Sequence, residues 1–184
     1  MESILFLIPA MPLLAFVINI LLGKFIPGKW GHYVSWVAMA TSFAVSVLAV
    51  LEVRSSGHAI QQHLWNWMPG EYLGGFEIPL NIYIDQLTSI MILVITGIGF
   101  LIHIYSAGYM GEDDGYYRFF AYLSLFIFAM LNLILGDSLV TMFLGWEGVG
   151  LCSYLLISFW YQRDDAAWHI VHAEVVPHVH SRGY

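Results

Sequence analysis

The sequence predicts an all-α, polytopic membrane protein of about five transmembrane helices, with a short extracytoplasmic strand or hairpin. Three observations carry this. Of 184 residues, 59% are hydrophobic and only 10% charged, where a soluble domain carries about 25% charged residues. Mean hydropathy is +0.73. Five stretches each supply the roughly 20 mostly apolar residues that a helix needs to cross hydrocarbon. So few charges cannot cover a water-facing surface, so the bilayer is the solvent that tolerates this composition.

The helices are expected at about residues 3–23, 30–51, 85–108, 117–135 and 138–161. Pro9 and Pro12 lie in the outer half of the first. Proline is tolerable there because neighbouring helices can satisfy the backbone groups it frees. Glu2 stands where a cleavable signal would carry basic residues, so the first helix reads as retained. The connection from Glu52 to Ile84 is long and polar-aromatic, and its last stretch, Phe76 to Ile84, alternates weakly like a short strand or hairpin. Gly136-Asp137 is a tight turn, which makes the fourth and fifth helices antiparallel neighbours. Residues 1–168 form one membrane unit, and 169–184 a divergent tail expected to be disordered.

Orientation follows from the basic residues. With the N-terminus outside, Lys24, Lys29, Arg118, Arg163 and Arg182 fall inside and Arg54 outside. Trp30, Trp160 and Tyr161 fall at helix ends, where amphipathic rings anchor at the interface. The net charge of −7 and the lack of a basic patch argue against nucleic acid. The single Cys152 supports neither a disulfide framework nor a cysteine metal cluster. No phosphate loop, dinucleotide fingerprint or haem motif is present, so redox chemistry would lie in other chains.

Glu147 is the most informative residue. It sits near the middle of the fifth apolar stretch, within Gly145-Trp146-Glu147-Gly148-Val149-Gly150. A charge at that depth costs about 2.5–3.5 kcal/mol on insertion scales. It must therefore face protein or water, find a cation, or hold its proton. A carboxylate whose proton occupancy answers to a neighbouring charge is one element of a proton relay. The alternative is a protonated Glu147 hydrogen-bonded between helices. The flanking glycines permit close helix approach or leave room for water. His103, in the inner half of the third helix, could relay protons near neutral pH or serve as a hydrogen-bonded packing residue. Thr96 reads as packing. Asp85 reads as the N-cap of the third helix, and Asp137 as opening the fifth or its turn. Arg118 should snorkel to the headgroups or pair with Glu112, Asp113 or Asp114. His169, His172, His178 and His180 in the tail could take up zinc or nickel, but with no Cys and few carboxylates beside them no physiological metal site is expected.

The segment Met142-Phe-Leu-Gly-Trp-Glu-Gly-Val-Gly-Leu-Cys-Ser-Tyr-Leu-Leu-Ile-Ser-Phe-Trp160 resembles the fifth helix of the subunit L family of bacterial NADH-quinone oxidoreductase, the counterpart of chain 5 of mitochondrial complex I. Leu64-Trp-Asn-Trp-Met68, Asp85-Gln-Leu-Thr88, Phe100-Leu-Ile-His-Ile-Tyr105 and Gly115-Tyr-Tyr-Arg-Phe-Phe-Ala-Tyr122 look like the same family. The resemblance runs to about Trp168. It implies an antiporter-like subunit of the membrane arm in the bacterial inner membrane, a translocase component beside other membrane-arm subunits. NADH, FMN, iron–sulfur clusters and quinone would belong to other subunits. Glu147 matches the family's buried glutamate, which works with a lysine on a later helix. The family continues with that helix. Here the chain instead runs from His169 to Tyr184, with no Lys after Lys29. A truncated or frameshifted chain unable to pump alone is therefore expected. The alternatives are a subunit of a cation/proton antiporter and a small structural membrane protein.

Overall fold

The computed structural model describes residues 4–25, 30–68, 78–111, 113 and 115–160. Its elements are α1 (Leu7–Leu22), α2 (Gly31–Ser56), β1 (Ile60–Met68), β2 (Ile78–Ile84), α3 (Gln86–Tyr109), α4 (Tyr116–Leu135) and α5 (Leu139–Ile157), closed by a 3-10 turn over Ser158–Trp160. The last four helices are long and apolar enough to cross a membrane, α5 counted with its 3-10 turn. The first is shorter than expected, with 16 residues. At 1.5 Å per residue it spans about 24 Å.

The sequence sets these ends by local chemistry. Asp85 caps α3, its Oδ1 accepting from the Thr88 N–H at 2.7 Å. Ser138 caps α5 in the same way, accepting from the Thr141 N–H at 3.2 Å. α2 runs five residues past its expected end, because Glu52 and Arg54 project from its exposed face as it leaves the apolar region. It stops at Gly57, whose φ of 70° is the left-handed conformation that a side chain would disfavour.

The Asp85 cap has a pH signature. The Thr88 backbone N–H holds the Asp85 carboxyl below its ordinary range. Folding therefore favours the ionised form. The contribution is full above the ordinary Asp range and is lost as pH falls through the depressed folded value. Asp85→Ala should cost about 1 kcal/mol. Asp85→Asn should keep the cap but remove its acid sensitivity, read as hydrogen exchange of the Gln86–Ser89 amides across an acid titration.

α4 is the hub of the bundle, packing against α1, α3 and α5, with α2 bridging α1 and α3. The apolar core joins Ile8, Met39, Ala49, Ile92, Ile127 and Leu131. Pro12 lacks the N–H that would bond the Ile8 carbonyl one turn back. Ser42 of α2 supplies the replacement, donating from Oγ to that carbonyl at 2.7 Å. The expectation that a neighbouring helix would rescue the proline is met here. Ser42→Ala should strand this buried carbonyl at a cost of about 1–3 kcal/mol, readable as a drop in thermal midpoint in bilayers.

The strand expected at 76–84 is the second arm of an antiparallel hairpin. β1, which falls in the connection read as polar-aromatic loop, pairs with it from Ile60↔Ile84 to Met68↔Ile78, with irregularities between His63 and Trp65 and between Asn66 and Met68. The hairpin is tied to the helix ends on its side of the bundle. Gln62 Oε1 accepts from the Phe6 N–H at 3.0 Å. Asp137, in the α4–α5 turn, accepts from Gln61 Nε2 at 2.8 Å and from Asn81 Nδ2 at 3.0 Å. Ile82 also bridges to Gly136.

Candidate functional site

α5 presents two opposed stripes. Thr141, Gly145 and Cys152 are buried, with Gly148 half-buried between them. These follow a helical i, i+4, i+7, i+11 spacing and pack on α4. A Cβ on Gly145 would meet the Leu133 backbone N at 2.5 Å, and one on Gly148 the Ala129 Cβ at 3.0 Å. Two residues further on, the same spacing repeats in Phe143, Glu147, Gly150 and Tyr154, all exposed. At about 100° per residue this second stripe faces away from α4.

Glu147 thus combines depth along the membrane with an open flank. It sits near the middle of Leu139–Ile157, as the sequence suggested. Among the described residues Glu147 is exposed, so this bundle does not itself bury the glutamate. The reason is geometric: α5 packs on α4 through the glycine stripe, which puts Glu147 on the far side. The glycines divide likewise. Gly145 and Gly148 serve close packing, whereas nothing described lies within 4 Å of a Cβ on Gly150.

His103 is elsewhere. It is fully buried among α2, α3 and α4. Its Nδ1 lies 2.7 Å from the Gly99 carbonyl and its Nε2 3.4 Å from Ser124 Oγ. Ser124 Oγ lies 3.2 Å from Ser35 Oγ, and Asn19 Nδ2 donates to Ser35 Oγ at 2.8 Å. His103 therefore ends a polar chain through four helices, and it shares no face with Glu147. Sequence reasoning missed Asn19, Ser35 and Ser124. A signal existed: Ser35, Ser42 and Ser46 recur at helical spacing along the buried stripe of α2, the pattern of small polar residues at membrane helix interfaces.

The remaining candidates are structural. Thr96 Oγ1 donates to the Ile92 carbonyl at 2.6 Å. The Arg118 guanidinium lies over the Phe159 ring, 5.7 Å from its centre. Asp113 accepts from the Gly115 N–H and from Trp160 Nε1, both at 2.7 Å. Trp160 is thereby anchored to the α3–α4 connection, and Trp30 is exposed at its helix end. Glu112, Asp114, Tyr161 and the tail histidines His169, His172, His178 and His180 lie outside the described residues.

The sequence that builds this geometry is similar to known families. The family described as NADH-ubiquinone oxidoreductase (complex I), chain 5 N-terminus, matches residues 67–120. The family described as NADH:quinone oxidoreductase/Mrp antiporter, TM, matches residues 136–171, the segment that holds Glu147. The chain is similar to the N-terminal region of complex I chain 5. NADH-quinone oxidoreductase subunit L of Mycobacterium tuberculosis (strain ATCC 25618 / H37Rv) is 42% identical over 164 residues, covering 88% of this chain and 25% of the relative. Subunit L of Escherichia coli (strain K12) is 42% identical over 156 residues, 82% of this chain and 24% of the relative. That of Pseudomonas aeruginosa is 43% identical over 154 residues, 80% and 25% respectively. The chain thus spans about a quarter of the length of these relatives. The antiporter match begins at Gly136, so it takes in α5 with both of its stripes.

Proposed function

We propose that this chain serves as an antiporter-like membrane-arm subunit of a proton-translocating NADH:quinone oxidoreductase, in a bacterial inner membrane with its N-terminus outside. Glu147 takes up and releases a proton at mid-membrane. One observation carries the reading: an acid at the centre of a spanning helix, on a face its own bundle leaves open, within the segment that the antiporter family matches. A carboxylate placed there would be costly in lipid alone. It is suited to a second packing surface that brings a basic group, so that the proton leaves when the base approaches and returns when it withdraws. Electron transfer, with NADH, FMN, iron–sulfur clusters and quinone, belongs to other subunits of such a complex.

The second match names an antiporter as well as the oxidoreductase, which supports a second reading as a subunit of a cation/proton antiporter. Proton flux separates the two. Inverted membrane vesicles from cells with and without this chain are energised by NADH, and separately by a sodium gradient without NADH. Loss of only the NADH-linked flux supports the oxidoreductase. Loss of only the sodium-linked flux would transfer the chain to the antiporter.

A further inference from the structure

Asn19, Ser35, Ser124 and His103 are each fully buried. The sense of their hydrogen bonds is fixed from one end. The Gly99 carbonyl can only accept, so His103 Nδ1 carries the proton. In the neutral ring Nε2 is then an acceptor, and Ser124 donates its single proton to it. Ser35 must therefore donate to Ser124 Oγ, and its own oxygen accepts from Asn19 Nδ2. Every link runs from α1 toward α3.

The far end holds an anomaly. Asn19 Oδ1 is buried and has no hydrogen-bond partner. The amide spends its donor on Ser35 and leaves its acceptor idle. A half-turn of that amide would present Oδ1 to Ser35 instead. The chain could then run backwards: His103 Nε2–H to Ser124, Ser124 to Ser35, Ser35 to Asn19 Oδ1. That sense requires a proton on Nε2, hence a charged imidazolium, while Nδ1–H still serves Gly99.

We propose that these four residues form a reversible hydrogen-bond chain that lets His103 hold a proton inside the bundle, with Asn19 as its polarity switch. On uptake, an O–H bond of a hydronium ion breaks, leaving water, and one N–H bond forms at Nε2. Two hydroxyls rotate, the Asn19 amide flips, and no other covalent bond changes. Each reversed dipole then points its negative end at the imidazolium, and aligned hydrogen bonds strengthen one another. This matters because the helices around His103 offer few countercharges. Over α1 to α4 the only Asp, Glu, Lys or Arg residues are Glu52 and Arg54, exposed at the hairpin end of α2, and Arg118, turned to Phe159. The other titratable neighbours are His32 of α2 and Tyr116 of α4, bonded to each other at 2.8 Å. The Phe120 ring lies 6.0 Å from His103 and 6.3 Å from His32. Trp36 Nε1 donates to the His103 carbonyl, not to its ring.

The inference extends the proton-transfer reading but is tested without NADH. The full chain, with 15N-labelled His and Asn, is reconstituted in phospholipid bilayers and followed by solid-state NMR, with His103→Gln assigning the signals. Near neutral pH, His103 should show the Nδ1–H tautomer. On acidification its imidazolium signal should grow, and the Asn19 side-chain signal should move along the same curve. Ser124→Ala should uncouple the two, and Ser124→Thr, which keeps the hydroxyl, should restore the coupling. An Nε2–H tautomer at neutral pH, a His103 that stays neutral to pH 4, an Asn19 signal that ignores the titration, or coupling that survives Ser124→Ala would each overturn the proposal. Unchanged NADH-linked flux without this chain, together with the expected spectra, would sink the oxidoreductase assignment and leave the switch standing.

Discussion

Gly145→Val should separate α5 from α4. A Cβ at this position would lie 2.5 Å from the Leu133 backbone N, 2.7 Å from its Cα and 3.0 Å from the Ala129 carbonyl oxygen. None of these atoms can rotate aside, so the helices themselves must part. Overpacking of this kind costs about 1–3 kcal/mol, and an obstacle made of backbone belongs at the upper end. Two other glycines calibrate the effect. A Cβ on Gly99 would meet the flexible ends of Ile127 and Met39, so Gly99→Ala should be milder. Gly150→Val, on the open stripe, should change stability by less than about 0.5 kcal/mol. Unfolding in mixed micelles titrated with a denaturing detergent gives the ranking. Equal losses at Gly145 and Gly150 would show that the two-stripe description of α5 is wrong.

Glu147→Gln should reduce NADH-driven proton translocation at least tenfold in membranes where this chain is assembled. Glutamine keeps the length of the side chain and its capacity to hydrogen-bond. It cannot exchange a proton near neutral pH. It also carries no charge, so its cost within hydrocarbon falls and the variant should accumulate normally. The loss would then be one of proton handling, a rise of at least about 1.4 kcal/mol in the barrier for the step. Glu147→Asp retains the acid but withdraws it by one methylene, and should keep part of the flux. Full translocation by Glu147→Gln, measured as NADH-driven acidification of inverted vesicles, would remove this residue from the proton path.

The spanning helices were legible because hydrocarbon imposes a simple demand: long apolar runs with polar breaks between them. Their ends were legible where a capping residue marks them, as at Asp85 and Ser138. α2 outran its apolar run because a helix continues into water until something stops it, and here that is Gly57. A hairpin was among the expectations, but its first arm, β1, was not placed, because Gln61, Gln62 and His63 dilute its alternation and its pairing with β2 is a non-local fact. The depth of Glu147 could be read from residue counting. The face it occupies could not, because both stripes of α5 have the same spacing, and which one meets α4 is decided by the shape of the partner. His103 was visible as an oddity in an apolar run. The chain it ends runs through other helices, 16 to 89 positions apart in the sequence from one link to the next.

The buried chain from Asn19 to His103 also bears on how this protein is made. Asn19 and Ser35 enter the bilayer early and can pair as soon as α2 follows α1. Ser124 arrives only 89 residues after Ser35, and α4 is the surface on which α1 packs. At 5–20 residues per second, synthesis of that interval takes roughly 5–20 s. During it, the polar faces of the first two helices have one another and whatever insertion machinery shelters them. Bundle closure is therefore timed by the emergence of α4. A ribosome paused between α2 and α4 would hold a nascent protein in which Ser35 still lacks its Ser124 partner.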